Sequence, residues 1–188
     1  MKTITEVIAL FPYTNSKQWR QHENGKGWVF ETAFADLTAF IEGVVSGNAR
    51  VYGNARVYGN AWVYGNARVY GNAQVYGNAW VSGNARVYGN ARVYNDARVS
   101  GNARVYGNAW GSSPLYIQGT RHSMTLCSFT EIAIGCHIHT IALWKKEYRK
   151  IGAKEDYSEA EIKEYSEYIA LLATAAKRFQ KAAMKASQ

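Results

Sequence analysis

The chain is poor in cysteine: Cys127 and Cys136 are its only two, too few for a disulfide framework, so reduced thiols in an intracellular protein are expected. It also has no apolar run long enough to span a bilayer. Its first residues, MKTITEVIALFPYTN, hold one lysine and a short apolar stretch broken by Glu6, with no small-residue cleavage site following. They do not read as a signal peptide, and a cytoplasmic location is expected. No histidine lies between His22 and His122, and no phosphate-binding loop, paired-carboxylate site or Ser-His-Asp arrangement can be read. Between residues 45 and 110 there is no lysine and one acid, Asp96, against seven arginines: Arg50, Arg56, Arg68, Arg86, Arg92, Arg98 and Arg104. That third of the chain carries +6 of its formal +8. A compact basic surface suggests an anionic partner, with a charged coat that keeps the protein dissolved as the alternative.

The same stretch is eleven uninterrupted copies of a six-residue phrase, from VSGNAR at Val45 to VYGNAW ending at Trp110. A fixed short period is the mark of a solenoid and outranks local propensity. Val recurs where a branched apolar side chain can point inward, and Ala four residues later fits beside a tight corner. Gly-Asn falls between them, and both residues tolerate the positive φ of a sharp turn. One corner per hexad and three corners per turn give a coil of eighteen residues with parallel strands stacked between coils. Sixty-six residues then make three to four coils, on the order of 17 Å at about 4.8 Å per coil. In the ninth hexad, Asn95-Asp96 replaces Gly-Asn and keeps turn-forming residues.

This hexad resembles the motif of the hexapeptide-repeat family, an aliphatic residue, two variable positions and a small one. The resemblance implies a left-handed parallel β-helix over about a third of the chain. Two flanking segments, ADLTAFIEGVV (35–45) and IGCHIHTIALW (134–144), resemble the elements before and after the repeats in phage-encoded hexapeptide-repeat proteins. From that alone a phage origin and a counter-defence or host-takeover role are expected.

Taking every eighteenth residue separates three faces. The first presents Arg50, Arg68, Arg86 and Arg104 beside Tyr52, Tyr70, Tyr88 and Tyr106. The second has Arg56, Gln74, Arg92 and Trp110 beside Tyr58, Tyr76 and Tyr94. The third has Trp62, Trp80 and Arg98 beside Tyr64, Ser82 and Ser100. Arginines stacked at strand spacing repel one another. The column makes sense where something anionic or aromatic compensates, and the neighbouring tyrosines can supply cation–π contact worth roughly 0.5 to 1 kcal/mol at exposed sites. The four arginines and four tyrosines of the first face are therefore the candidate ligand site, able to bind phosphates and stack bases of a nucleotide or nucleic acid, or to dock an acidic protein. Copying of an eighteen-residue unit, with rings packing only to support the sheet, is the competing explanation. Trp62 and Trp80 in register would be an unusual apolar patch. Because the resembled family commonly trimerises through such faces, they are the candidate oligomer interface of a homotrimer.

The expected organisation is mainly β: an N-terminal cap (1–44), the β-helix (45–110), a hairpin with a short helix (111–152) and a C-terminal helix (153–188). In the cap, Ile4, Val7, Ile8 and Phe11 have helical spacing, and Asn24-Gly25 is a hairpin signal between Gln18–His22 and Gly27–Glu31. Beyond Gly111-Ser112-Ser113-Pro114, Leu115–Gln118 is expected to extend the last coil. His122–Phe129 and Ile132–His139 read as two strands, followed by a helix capped by Thr140 and ended by Gly152. Ser158 and Glu161 form a capping box, with Tyr157 and Ile162 as its staple. They open a helix whose apolar positions Ile162, Tyr165, Ile169, Leu172, Ala176, Phe179 and Ala183 suit either intramolecular packing or a coiled coil.

The activity that the resemblance implies is CoA-dependent acyl transfer by a trimer, usually with a histidine between coils as base. The repeats hold no histidine and no inserted acceptor loop, which leaves His122 or His139 as candidates and argues against a transferase. His137 and His139 on one strand face could hold a metal with His122 or Glu131, while Cys136 would point away. No catalytic residue, cofactor or metal is assigned. The expectation is a non-catalytic binding protein, with a transferase or a structural assembly module as alternatives.

Overall fold

Val and Ala of the hexads turn inward: every one from Ala49 to Ala97 has 0% exposure. The computed structural model describes residues 1–107 and 109–186, and the chain divides into two compact units, Met1–Ser113 and Pro114–Gln188. Asn108 of the eleventh hexad and the last two residues of the C-terminal helix segment lie outside the described residues. The first unit is a β-solenoid of about four turns whose strands, two or three residues each, form three parallel sheets. Its first face stacks strands Phe34–Ala35, Arg50–Tyr52, Arg68–Tyr70, Arg86–Tyr88 and Arg104–Tyr106. Its second stacks Phe40–Ile41, Arg56–Val57, Gln74–Val75, Arg92–Val93 and Ala109–Trp110. Its third stacks Trp28–Phe30, Val44–Val45, Trp62–Val63, Trp80–Val81 and Arg98–Val99.

The boundary expected at residue 44 moves. Parallel pairing begins at Trp28, so residues 28–43 form a coil. Val29, Ala35 and Ile41 fill the inward Val position, and Ala33 and Ala39 fill the small corner position. This first coil has sixteen residues: Trp28 pairs Val44, Phe34 pairs Arg50 and Phe40 pairs Arg56. The hexad spacing 28, 34, 40 loses two residues at the Glu42-Gly43 corner, which hides the coil from a search in the phase of Val45. Gly43 is needed there, because a Cβ would stand 2.5 Å from Ala61 O.

Before this coil, α1 (Ile4–Leu10) starts with a Thr3–Glu6 capping box and packs Ile4, Val7, Ile8 and Phe11 with Trp19, Trp28, Phe30, Val44 and Trp62. The Glu6 carboxyl accepts from Thr3 N (2.7 Å) and Oγ1 (3.0 Å), and these bonds hold it below its ordinary range. Trp19–Gln21 pairs antiparallel with Trp28–Phe30 across the hairpin expected at Asn24-Gly25. The intervening turn lies along the coil edge: Ile41 N donates to Asn24 O (2.9 Å) and Gly27 N to Ile41 O (2.7 Å). Those bonds occupy backbone groups that an open sheet edge would expose.

A second irregularity sits at the other end. Sequence spacing places Trp110 outward above Arg92, but Arg92 pairs with Ala109 and Val93 with Trp110. A slip of one residue exchanges the two faces of a strand, so Trp110 turns inward above Val93 and is 1% exposed. The chain then stays in the first unit through Ser113, whose Oγ accepts from Arg98 N (2.9 Å).

Asn at the fourth hexad position builds a ladder at each corner. Nδ2 of one Asn donates to the side-chain oxygen eighteen residues on, in the runs Asn48–Asn66–Asn84–Asn102, Asn54–Asn72–Asn90 and Asn60–Asn78–Asp96, at 3.1–3.5 Å. In the first coil Thr32 and Thr38 take the Asn places and donate to Gly47 O and Gly53 O. The third ladder is polarised from cation to anion: Lys2 Nζ donates to Asn60 Oδ1 (2.8 Å), and Asn78 Nδ2 meets the Asp96 carboxylate (3.1 Å). The departing hexad thus supplies an anion at the last described rung, and Asn95 beside it adopts the left-handed φ of 56° that its glycine counterparts use.

The second unit is an antiparallel meander of Tyr116–Gln118, Ser123–Leu126, Glu131–Ile134 and His137–Thr140, followed by α2 (Ile141–Lys154) and α3 (Glu159–Ala186). Two expectations change here. Leu115–Gln118 does not extend the coil, because Tyr116–Gln118 pairs with Ser123–Leu126. Ile132–His139 is not one strand but turns at Gly135, whose φ is +55°. The two segments expected as 111–152 (hairpin plus short helix) and 153–188 (terminal helix) fall, from Pro114 on, in one compact unit. Thr140 caps α2 through Leu143 N, which runs past Gly152 to Lys154. The Ser158–Glu161 capping box opens α3, and Ile162, Tyr165, Ile169, Leu172 and Ala176 are buried. The bonds from Ser158 hold the Glu161 carboxyl below its usual value.

Cys127 is fully buried and donates to Glu131 O (3.3 Å), and burial first, then the Glu131 charge, push its thiol up to about 12. Cys136 is exposed in the turn before His137. Alkylation of the folded protein at pH 8 is therefore expected to label Cys136 and spare Cys127, with both labelled after denaturation, as peptide mass mapping would read. Comparable labelling of both in the folded state would contradict the buried strand end.

Candidate functional site

The first face is set by the ladder itself. Arg50 pairs Arg68, Arg68 pairs Arg86 and Arg86 pairs Arg104, so the four guanidinium groups rise in one column, Arg50 and Arg68 exposed, Arg86 and Arg104 half-buried. Beside them the rings of Tyr52, Tyr70, Tyr88 and Tyr106 are stacked, with centroids 5.0, 5.1 and 5.2 Å apart and interplanar angles of 2°, 6° and 27°. All eight residues expected at this site are therefore brought together. Burial, and then the neighbouring Tyr52 phenol, raise the Tyr70 hydroxyl above its ordinary value against the pull of Arg86, Arg104 and Arg68. It stays protonated and presents an O–H donor. Tyr76 on the second face is raised for the same two reasons, burial and then the flanking phenols of Tyr58 and Tyr94.

The compensation expected from the tyrosines takes a different form. Arg50 lies over Phe34 (5.5 Å to the centroid), Arg56 over Phe40 (5.0 Å) and Tyr58 (5.6 Å), and Arg98 over Trp80 (4.7 Å). Phe34 and Phe40 are outward residues of the hidden first coil, beyond the reach of a reading that began at Val45. Among the described residues, Arg68 and Arg86 stand over no ring, because the faces of Tyr70 and Tyr88 are covered by other tyrosines. Nor does any of Arg50, Arg68 and Arg86 have a carboxylate within 4 Å among the described residues. What is left is a row of forked donors with unmet capacity, and no nucleophile or base among them.

The periodic stretch is similar to the YdcK beta-solenoid repeat. That family matches six overlapping segments, residues 45–59, 49–65, 61–75, 73–88, 85–101 and 97–112. The YdcK-like segments cover about a third of the chain and stop where the second unit starts. No curated protein and no solved structure matches the chain. The likeness supports a β-solenoid and carries no chemistry of its own.

Trp62 and Trp80, expected at an oligomer interface, stack on each other at 5.3 Å and 8°. Phe11 lies 5.4 Å from Trp62 on the side of α1, and the Arg98 guanidinium covers Trp80. The chain itself thus covers much of the patch. Sequence spacing could not show this, because α1 lies more than fifty residues upstream of Trp62.

His137 and His139 share a strand face as expected, their rings stacked at 5.9 Å, but no third ligand joins them among the described residues. His122 Nδ1 is 2.6 Å from Tyr157 Oη, His137 Nε2 is 3.3 Å from Glu155, and His139 packs edge-on to Trp144 at 5.0 Å. Glu131 accepts from Ser128 Oγ (3.0 Å). Among the described residues no three His, Cys, Asp or Glu side chains are placed to share a metal ion. Nearby, a cavity of about 30 Å³ lined by Ile134, His137, Trp144, Tyr157 and Tyr165 has room for about one water. No described helix is long and apolar enough to cross a membrane.

Proposed function

We propose that this is a non-catalytic binding protein that docks an anionic partner along the first solenoid face. The observation that carries the reading is the in-register column of Arg50, Arg68, Arg86 and Arg104, in which the first three lack a carboxylate partner among the described residues. Like charges repeated at strand spacing are unfavourable alone. An anion that lies along the column removes that cost and engages both the guanidinium forks and the neutral phenol hydroxyls.

The test replaces the four arginines by glutamine and measures binding to a panel of nucleotides, oligonucleotides and acidic peptides by fluorescence anisotropy at low salt. Loss of a large share of the phosphate contacts predicts an affinity drop of at least about tenfold, with a weaker salt dependence. The far-UV spectrum should be unchanged, since the hexad core is untouched. Equal binding by the variant and the parent would end this reading.

Finer features follow the hexapeptide-repeat resemblance: a left-handed coil, a phage origin with a counter-defence or host-takeover role, and a homotrimer. A cytoplasmic location follows from the sparse cysteines and the unlikeness of the first residues to a signal peptide, and the N-terminal cap expected over residues 1–44 is proposed for the part before the first parallel strand at Trp28. The trimer draws less support from the Trp column than its spacing implied, because α1 and Arg98 already lie on Trp62 and Trp80.

A further inference from the structure

We infer that the first face holds a nucleic-acid strand by its phosphodiester backbone and does not stack its bases. This rests on the docking proposed above and narrows the partner. Base recognition by aromatic platforms needs an open ring face. Here Tyr70 lies between Tyr52 and Tyr88, and Tyr88 between Tyr70 and Tyr106, so both faces of the two central rings are spent within the column. The other faces behave alike: Tyr76 lies between Tyr58 and Tyr94, and Trp80 between Trp62 and the Arg98 guanidinium. The Tyr94 ring is further approached by the backbone at Gly111, where an added Cβ would stand 2.9 Å from the ring. The central tyrosines thus offer edges and hydroxyls, which suit phosphate oxygens and not nucleobases.

The shape of the cation array favours a linear polymer over a folded acidic protein. Three rungs of about 5 Å, as the ring spacings of 5.0–5.2 Å show, separate Arg50 from Arg104 by about 15 Å. One strand of a duplex carries a phosphate every 3.4 Å or so, so that length passes about five phosphates against four arginines at the wider spacing of their rungs. An evenly spaced straight row of cations suits a backbone whose charge also repeats evenly, with each guanidinium fork reaching the nearest phosphate. The carboxylates of a folded protein surface have no such regularity.

The experiment compares a single-stranded oligonucleotide, an abasic strand of equal length, polyphosphate and polyglutamate on the full chain, with and without Arg68→Gln. The abasic strand is expected to bind within about threefold of the base-bearing one, and base sequence to matter little. Arg68→Gln should lower the salt slope for both strands by about 0.7, the share of one single-strand phosphate contact. A loss of tenfold or more for the abasic strand means that bases are stacked and overturns the inference. Binding of polyphosphate alone overturns the assignment to a phosphodiester strand. Binding of polyglutamate alone, weakened by Arg68→Gln, also overturns it but leaves anion docking standing. Failure of all four ligands removes both.

Discussion

Trp110→Ala should destabilise the solenoid by about 3–5 kcal/mol, the usual cost of deleting a buried aromatic side chain and leaving its space empty. Trp110 is among the largest fully buried side chains, and the slip that puts it opposite Val93 is what turns it inward. Its backbone also continues the second sheet, with Tyr94 N donating to Trp110 O (3.0 Å), so the ring is fixed in place over the last valines. Trp80→Ala is the control. Trp80 is half-buried on the outside of the coil, so its truncation should cost less than half as much. Urea unfolding followed by circular dichroism gives both numbers. Equal costs would mean that Trp110 faces outward above Arg92, as its spacing in the sequence implies, and the slip would be wrong.

Tyr165→Phe should cost the second unit about 2–4 kcal/mol, although it removes one oxygen atom. That hydroxyl accepts from the backbone N–H groups of both Arg121 and His122 and donates to His122 O (2.7 Å). Phenylalanine would leave two donors and an acceptor unmatched beside a buried ring. The fit is close, since a Cβ at Gly119 would stand 2.6 Å from the same oxygen. Tyr157→Phe is the comparison: its hydroxyl meets the exposed His122 ring, which water can solvate instead, so it should cost under about 1 kcal/mol. Hydrogen exchange at the Arg121 and His122 amides separates the two, with faster exchange expected in Tyr165→Phe only. A Tyr165→Phe protein as stable as its parent would show that these groups find water.

Much of the solenoid was legible because its period is simple. Val and Ala mark the core, and division by eighteen gives the right columns from Val45 to Tyr106. What escaped was phase. The coil from Trp28 has inward and small residues at the same six-residue spacing, but the two residues lost at Glu42-Gly43 put it out of step with the hexads. One residue lost near the end moved Trp110 between faces for the same reason, since alternation along a strand has no tolerance for a single slip. The constancy of Asn held a signal that was read only as turn chemistry. Glycine and asparagine both suit a tight corner, but a corner alone does not require Asn at nearly every repeat, whereas a side-chain ladder does. In the second unit the Gly135 turn was missed because apolar and histidine residues run through it, although a positive φ at glycine needs no other mark.

At the candidate site the residues were legible and their contacts were not. The sequence places Val between Arg and Tyr in each of the four hexad strands of the first face, which invites pairing of each cation with the ring of its own strand. Ladder register instead brings tyrosine to tyrosine at 5.0–5.2 Å, and it gives Arg50 the ring of Phe34 from the neighbouring coil.

Because the valine core, the Asn corners and the outward columns all repeat at eighteen residues between Ser46 and Val99, the length of this body is quantised. Removing or adding eighteen residues there returns the inward side chains, ladders and outward faces to their places, six or twelve keep valine inward but pass each outward residue to another face, and a number that is not a multiple of six sends arginines into the core or valines into water. A replication error of one unit would therefore yield a shorter or longer working protein with one fewer or one more cation in its row. The reach of the basic face is then a heritable quantity that changes in steps of a single coil.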